Sequence, residues 1–370
     1  MKSIFNESKQ ADDYGSKKLF LTGEVGLVDT INRHYPKLFD LYKEMKQLDW
    51  DELEFDYSQC IVDFEKAPKD VSDMMLETIM FQWESDSVAS QAPVYLIAPY
   101  QPCTELWQAE LRITDNESVH ANTYSEIVRM GFKTPETVLE DMLSKVESMK
   151  RLSTVGKCLR SVMQHSISTA YEREMNNTEP TEKEVREQLI LYYFSMLCLE
   201  RLQFMASFAV TFTICQSGWF QPIGQAVKKI CQDELEVHSE FRKEVLKELT
   251  SDELGKEVLN KLRPILTQIL EEVTDNELEQ TVVNLFKNGE RSLVGTNEKF
   301  VSQWVLFNAK DVASVFKLKT KHSYPKSNPM PHLEKWINMN KNQAANQEQD
   351  NPAYKLNVIE RNDQDKVYVI

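Results

Sequence analysis

The chain has 370 residues, 41 % of them hydrophobic, with only 10 glycines and 13 prolines. That is ample apolar material for a core, and so little punctuation over this length favours long helices over short strands and tight turns. The formal net charge is −15 and no Lys/Arg stripe is interleaved with aromatics, which argues against a nucleic-acid partner.

In chain order, the pattern to about Gln59 is irregular, with helical patches from Val28 to Lys46. Asp63 to Gln91 is predicted as a helix with Pro93 just past its end. Thr104 to Gly131 is a second helix, with Gly131 as C-cap. A third starts with Thr134 as N-cap and Pro135 at the first helical position, and runs to about Met175. Thr181-Glu-Lys-Glu is a capping-box start for a long central helix reaching about Cys215. Gln216 to Pro222 is a turn. Ile223 to Leu249 is the next helix, Ser251-Asp-Glu-Leu opens another, and two more fill Asp275 to about Lys317. Pro325, Pro329 and Pro331 break the pattern. Asn340 to Asp350 is poor in apolar residues and is expected to be disordered. The chain therefore divides into one all-α helical domain, 1–338, and a flexible tail, 339–370, which ends in the apolar Val367–Ile370.

The six cysteines, Cys60, Cys103, Cys158, Cys198, Cys215 and Cys231, are dispersed without Cys-x-x-Cys spacing, the pattern of reduced thiols in an intracellular protein. The N-terminus has no signal-peptide hydrophobic region, so a cytoplasmic location is expected. Leu189 to Cys215 is apolar and long enough for a membrane span. Glu200, Arg201 and Gln203 near its middle would be costly there. The better reading, with no membrane, is a buried bundle helix whose polar groups find partners inside the protein.

Two Glu/His pairs stand out. Glu117 and His120 are three residues apart, about 60° around a helix axis; Glu234 and His238 are four apart, about 40°. Each pair presents a carboxylate and an imidazole on one face. Asp86 and Glu200 are isolated carboxylates on two further apolar helices. Two Glu/His pairs plus one carboxylate from each of two more helices is the donor pattern of carboxylate-rich dimetal bundles, and oxygen and imidazole donors suit iron or manganese. Alone, each element has an ordinary explanation: surface decoration for a Glu-x-x-His, a local hydrogen bond for Asp86, a buried salt bridge for Glu200. Tyr124 lies four residues after His120 on the same face, next to any metal bound there. Phe204 and Phe208 share the face of Glu200, and Ile230 lies four before Glu234. These three are expected either to wall off the Tyr124 ring or simply to pack the core.

At these residues the sequence resembles the class I ribonucleotide reductase small (β) subunit, from about Trp50 to Pro331. The matching stretches are Ser85-Asp86-Ser87, Asn116-Glu-Ser-Val-His120 with Tyr124, Leu199-Glu-Arg-Leu-Gln-Phe-Met-Ala-Ser-Phe208, Gln232-Asp-Glu234 with His238, and Ser327-Asn-Pro-Met-Pro331. The resemblance implies a ferritin-like helical bundle with additional helices, working as a homodimer with the large catalytic (α) subunit. It implies that Asp86, Glu117 and His120 bind one metal ion and Glu200, Glu234 and His238 the other, with Glu117 and Glu234 bridging. The ions are two irons, with di-manganese or a mixed centre as alternatives. Tyr124 matches the family's radical tyrosine, and Trp50, Asp233 and His120 match its hydrogen-bonded relay. Tyr354 in the tail matches the tyrosine that passes the radical equivalent to the large subunit, where ribonucleotides become deoxyribonucleotides. Val367–Ile370 resembles the docking peptide.

One departure concerns the second pair, commonly Glu-x-x-His. Here Asp233-Glu-Leu-Glu-Val-His238 carries one more residue. In a regular α-helix Glu236 is roughly 200° from His238, which favours Glu234; a π-bulge would change this register. Two other functions share the donor pattern: a di-iron oxidase acting directly on an organic substrate, and ferritin-like iron storage.

Overall fold

A computed structural model describes residues 18–23, 28, 30, 31, 33–144 and 147–337. The tail segment 339–370, with Tyr354 and Val367–Ile370, lies outside the described residues. Among those described there is no strand, only an isolated bridge between Leu293 and Thr296.

Helix α1 spans Pro36–Gln47. The helix expected over Asp63–Gln91 is in fact two, α2 (Cys60–Lys66) and α3 (Lys69–Ala89). Pro68 disfavours the helical region for the residue before it, and Ala67 is extended at ψ 151. Pro93 sits in the first turn of a short α4 (Ala92–Leu96), where its missing N–H costs nothing. Helix α5 covers Thr104–Gly131, as expected, except that Gly131 is its last helical residue rather than its cap. The single helix expected from Pro135 to Met175 is three: α6 (Pro135–Ser144), α7 (Glu147–Arg151) and α8 (Ser153–Asn176).

The Thr181 capping box is present. Glu184 N–H donates to Thr181 Oγ1 at 3.2 Å, and Thr181 N–H donates to Glu184 Oε2 at 2.8 Å. It opens α9 (Glu182–Cys198), which passes through a π turn, Leu199–Gln203, into α10 (Phe204–Gln216). This 35-residue stretch is apolar enough to cross a membrane by composition, yet its apolar window is buried inside the protein. Its polar residues have the internal partners that burial requires. Glu200 meets Arg242, Arg201 meets Asp311 and Asn308, and Gln203 meets Arg151 and Glu277. Arg151 also donates to the Gln203 carbonyl at 3.0 Å, satisfying backbone at the end of the π turn.

The helix expected over Ile223–Leu249 likewise divides, into α11 (Gln221–Gln232) and α12 (Ser239–Leu249), around a second π turn, Asp233–His238. Helix α13 (Glu253–Glu279) runs through Asp275 and ends in a third π turn, Gln280–Leu285. The stretch from Asp275 to Lys317 therefore holds one new α-helix rather than two, α14 (Glu298–Phe316). A short α15 (Glu334–Ile337) follows the prolines.

Four segments form the inner bundle: α3, α5, α9–α10 and α11–α12. Helix α3 packs on α5 and α10, α10 on α11, and α11 on α5, so each segment meets its neighbours around one axis. Helices α8, α13 and α14 cover the outside of α9 and α10. None of the six cysteines is in a disulfide, and only Cys158 is not fully buried.

The connection from α12 to α13 is tight. A Cβ on Gly255 would lie 2.3 Å from the Leu249 carbonyl oxygen and 2.8 Å from Thr250 Cα, both backbone atoms. Arg186 also fixes this corner, donating to the Leu249 carbonyl at 2.9 Å and to Asp252 at 2.7 Å. Gly255→Ala is expected to destabilise the fold by about 1–3 kcal/mol, because overpacking against backbone outweighs alanine's better helix propensity. Urea unfolding reads this as a lower midpoint at unchanged slope; an unchanged midpoint would contradict it.

Candidate metal centre

Asp86 projects from α3, Glu117, His120 and Tyr124 from α5, Glu200 from the first π turn, and Glu234 and His238 from the second. All seven side chains are fully buried. Asp86, Glu117 and His120 offer ligand atoms within 4.8 Å of one another, and so do Glu117, Glu200, Glu234 and His238. Glu117 is common to both groups. Its Oε2 lies 3.5 Å from His120 Nδ1, and its Oε1 lies 3.6 Å from His238 Nδ1. Glu234 Oε1 faces the same two nitrogens, at 3.3 Å and 3.5 Å.

The second π turn accommodates the additional residue of Asp233–His238. Glu234 and His238 point inward, while Glu236 is half-buried and belongs to neither group. The bulge is present, and it still presents Glu234.

Asp233 is the hub of a buried hydrogen-bond network. Its Oδ2 accepts from Trp50 Nε1 at 2.8 Å and from Asn116 Nδ2 at 3.4 Å, and lies 3.0 Å from His120 Nε2. An ionised Asp233 requires the proton on Nε2, which turns the lone pair of Nδ1 towards the carboxylates. The Trp50 and His120 rings stack, with centroids 5.9 Å apart.

Electrostatics follow from packing four carboxylates into one buried pocket. Burial, with Glu117 next, raises the pKa of Asp86 well above the carboxylate range. Burial also lifts Glu200 to about 8, against the pull of Arg242. Burial opposes ionisation of Glu117 too, yet the His120 and His238 imidazoles draw it down to about 2. Burial disfavours charge on His238, but Glu234 and Glu117 carry it up to about 10. The pocket therefore attracts positive charge.

Both oxygens of Asp86, Glu117 and Glu234, Glu200 Oε2, His120 Nδ1 and both ring nitrogens of His238 lack a hydrogen-bond partner among the described residues. So many orphaned buried polar atoms facing one another would be costly if left unpaired. Four carboxylates and two neutral imidazoles match the charge and donor preference of two divalent iron or manganese ions, so the residues fit such a pair.

The Tyr124 hydroxyl is buried without a hydrogen-bond partner among the described residues. Burial, then Asp86 and Glu234, pushes its pKa well above the ordinary phenol value. Phe204, Phe208 and Ile230 are all buried, with the two phenylalanine rings 5.9 Å apart.

Sequence reasoning missed the buried Arg242, which donates to Glu200 Oε1 at 3.1 Å and to Glu110 at 2.8 Å and 3.0 Å. A signal existed: Arg242 is four residues after His238 and Glu110 seven before Glu117, each on the face of its pair. Asn116 on Asp233 was likewise given no role.

The family described as "Ribonucleotide reductase, small chain" matches residues 28–329. The ribonucleoside-diphosphate reductase subunit beta of Buchnera aphidicola is 23 % identical, covering 90 % of this chain and 92 % of its own length. Among solved structures, the ribonucleotide reductase R2 subunit from Clostridium botulinum superposes with TM-score 0.72 at 19 % identity, over 91 % of this chain and 98 % of its own. Dimanganese(II)-NrdF of Streptococcus sanguinis superposes with TM-score 0.67 at 15 % identity, over 84 % and 99 %. The shared architecture is the ferritin-like helical bundle. With a family match across most of its length, on the fold that carries the two Glu/His pairs, the chain belongs to the ribonucleotide reductase small-chain family.

Proposed function

We propose that this chain is the radical-generating subunit of a ribonucleoside-diphosphate reductase. In this reading Asp86, Glu117 and His120 would hold one metal ion and Glu200, Glu234 and His238 the other, with Glu117 and Glu234 each close to both imidazole Nδ1 atoms. The observation that carries it is the convergence, from four helical segments and beside one buried phenol, of fully buried carboxylate and imidazole atoms that lack a hydrogen-bond partner among the described residues. When bound, a pair of iron or manganese ions oxidised by O2 or by another supplied oxidant would provide the one-electron oxidising equivalent for Tyr124. Every other part of the task falls to the protein.

Burial of Tyr124 among apolar side chains excludes water and reductants from its ring. A phenol whose pKa is held far above neutrality gives up its proton together with the electron, so the neutral radical is the stored form. Nearby carboxylates are the acceptors that packing offers. Trp50, Asp233 and His120 form a continuous buried hydrogen-bonded line ending on α5, along which an electron and a proton would return. Storage of iron, or direct oxidation of an organic substrate, is not favoured by the family match.

The same reading includes a homodimer, a cytoplasmic location, and docking of the tail to the large subunit with Tyr354 in the transfer path. Removing residues 355–370 is expected to leave metal content and radical yield unchanged while abolishing affinity for the large subunit. Full affinity in a pull-down or titration would refute the tail assignment.

The reading as a whole is tested by loading the metal-free protein anaerobically with Fe(II) or Mn(II) and then admitting air. About two ions per chain and a tyrosyl EPR signal are expected for at least one metal. Fewer than one ion per chain under every condition would sink it.

A further inference from the structure

Arg242 on α12 is among the largest fully buried side chains of the protein. The Tyr192, Tyr193 and Phe241 rings stand 5.7, 5.6 and 5.6 Å from its guanidinium carbon. Its Nη1 donates to both oxygens of Glu110, at 2.8 Å and 3.0 Å, and its Nε donates to Glu200 Oε1 at 3.1 Å. Glu110 and Arg242 form a neutral pair by themselves. The additional bond to Glu200 thus leaves the charge of the metal pocket unaltered. What it removes is freedom: one oxygen of Glu200 is engaged, and only Oε2 is without a hydrogen-bond partner among the described residues.

We infer that Arg242 is a positioning residue. It restricts Glu200 to binding its metal ion through one oxygen, and so sets the affinity of the Glu200, Glu234 and His238 site separately from that of the Asp86, Glu117 and His120 site. A planar guanidinium does this where an ammonium cannot, because its fork spans two carboxylates in fixed geometry. Glu110 anchors the fork from α5. The inference rests on the proposed two-metal reading.

The test uses Co(II) alone, titrated anaerobically into the full-length, metal-free protein, with equilibrium binding and visible absorption as readouts. R242Q by itself leaves Glu110 as an uncompensated buried charge, so the informative variants are the neutral double variant R242Q/E110Q and the charge-retaining R242K. In R242Q/E110Q one Co(II) is expected to bind as in the unmodified protein, and the other to bind roughly 10–100-fold more weakly. Its absorption is expected to fall as a freed Glu200 offers both oxygens and raises the coordination number. R242K shifts the same site in the same direction by less, and carries the test if circular dichroism shows the double variant unfolded. Two sites with unchanged affinity and absorption overturn the inference, and so does equal weakening of both sites, the signature of a merely structural residue. Failure of the unmodified protein to bind two ions overturns the two-metal reading itself, and the role of Arg242 with it.

Discussion

Tyr124→Phe is expected to bind metal as the unmodified protein does and to give no tyrosyl EPR signal at all. The substitution deletes one oxygen atom and keeps the ring that fills the space between α5 and its neighbours. That oxygen has no hydrogen-bond partner among the described residues, so no bond is broken and no other group is orphaned. The fold should change by no more than about 1 kcal/mol, and stabilisation is the more natural sign, since a buried hydroxyl without a partner is a cost. None of the proposed metal ligands touches the deleted atom through a hydrogen bond, so loading stays at the unmodified level. On the proposed function, loss of the phenol would nevertheless remove the group that stores the electron vacancy, and nucleotide reduction with the large subunit is expected to fall to background. An EPR signal of unchanged shape and yield would assign the radical elsewhere. A large loss of metal would show that the hydroxyl is part of the metal site.

Glu234→Ala is expected to reduce metal content from about two ions per chain to one or fewer, whereas Glu236→Ala leaves loading close to normal. Glu234 stands within 3.5 Å of both imidazole Nδ1 atoms, the position from which one carboxylate can serve two ions. Glu236, two residues on, is half-buried and belongs to neither ligand group. The metal-free variant carries a second readout. Glu234 is the first of the groups that raise His238 to about 10 against the opposing effect of burial. Its removal should move the imidazole pKa down towards the ordinary histidine value, seen by NMR titration, while the same titration of Glu236→Ala stays near the unmodified curve. The reverse ranking in metal content would mean that the turn presents Glu236 in solution.

The parts of this protein that were readable in advance are those governed by neighbours along the chain. Helix α5 ran from Thr104 to Gly131 as expected, because its apolar spacing and the proline after the next cap are local signals. The Thr181–Glu184 capping box is a four-residue interaction and formed as expected. Glu117, His120 and Tyr124 share a face by the same helical period, so three of the site's groups could be placed together before any fold was known. Even Pro68, whose splitting of α2 from α3 was missed, acts locally: the signal was there, and the apolar pattern running across it concealed it.

Tertiary packing decided the rest. The π turns at Leu199–Gln203 and Asp233–His238 add a residue to helices whose sequence gives no breaker. Partners across the bundle stabilise them, including Arg151 on the Gln203 carbonyl. The helical period already favoured Glu234 over Glu236; that the turn bulges and still directs Glu234 inward is a property of packing. Trp50 meets Asp233 across 183 positions, and Arg242 meets Glu110 across 132. Nothing in a helical period reaches that far. Residue type and spacing determined which side chains could share a face, because a helix repeats every few residues. Which faces meet, and which buried charges then pair, depended on how helices distant in sequence exclude water from one another.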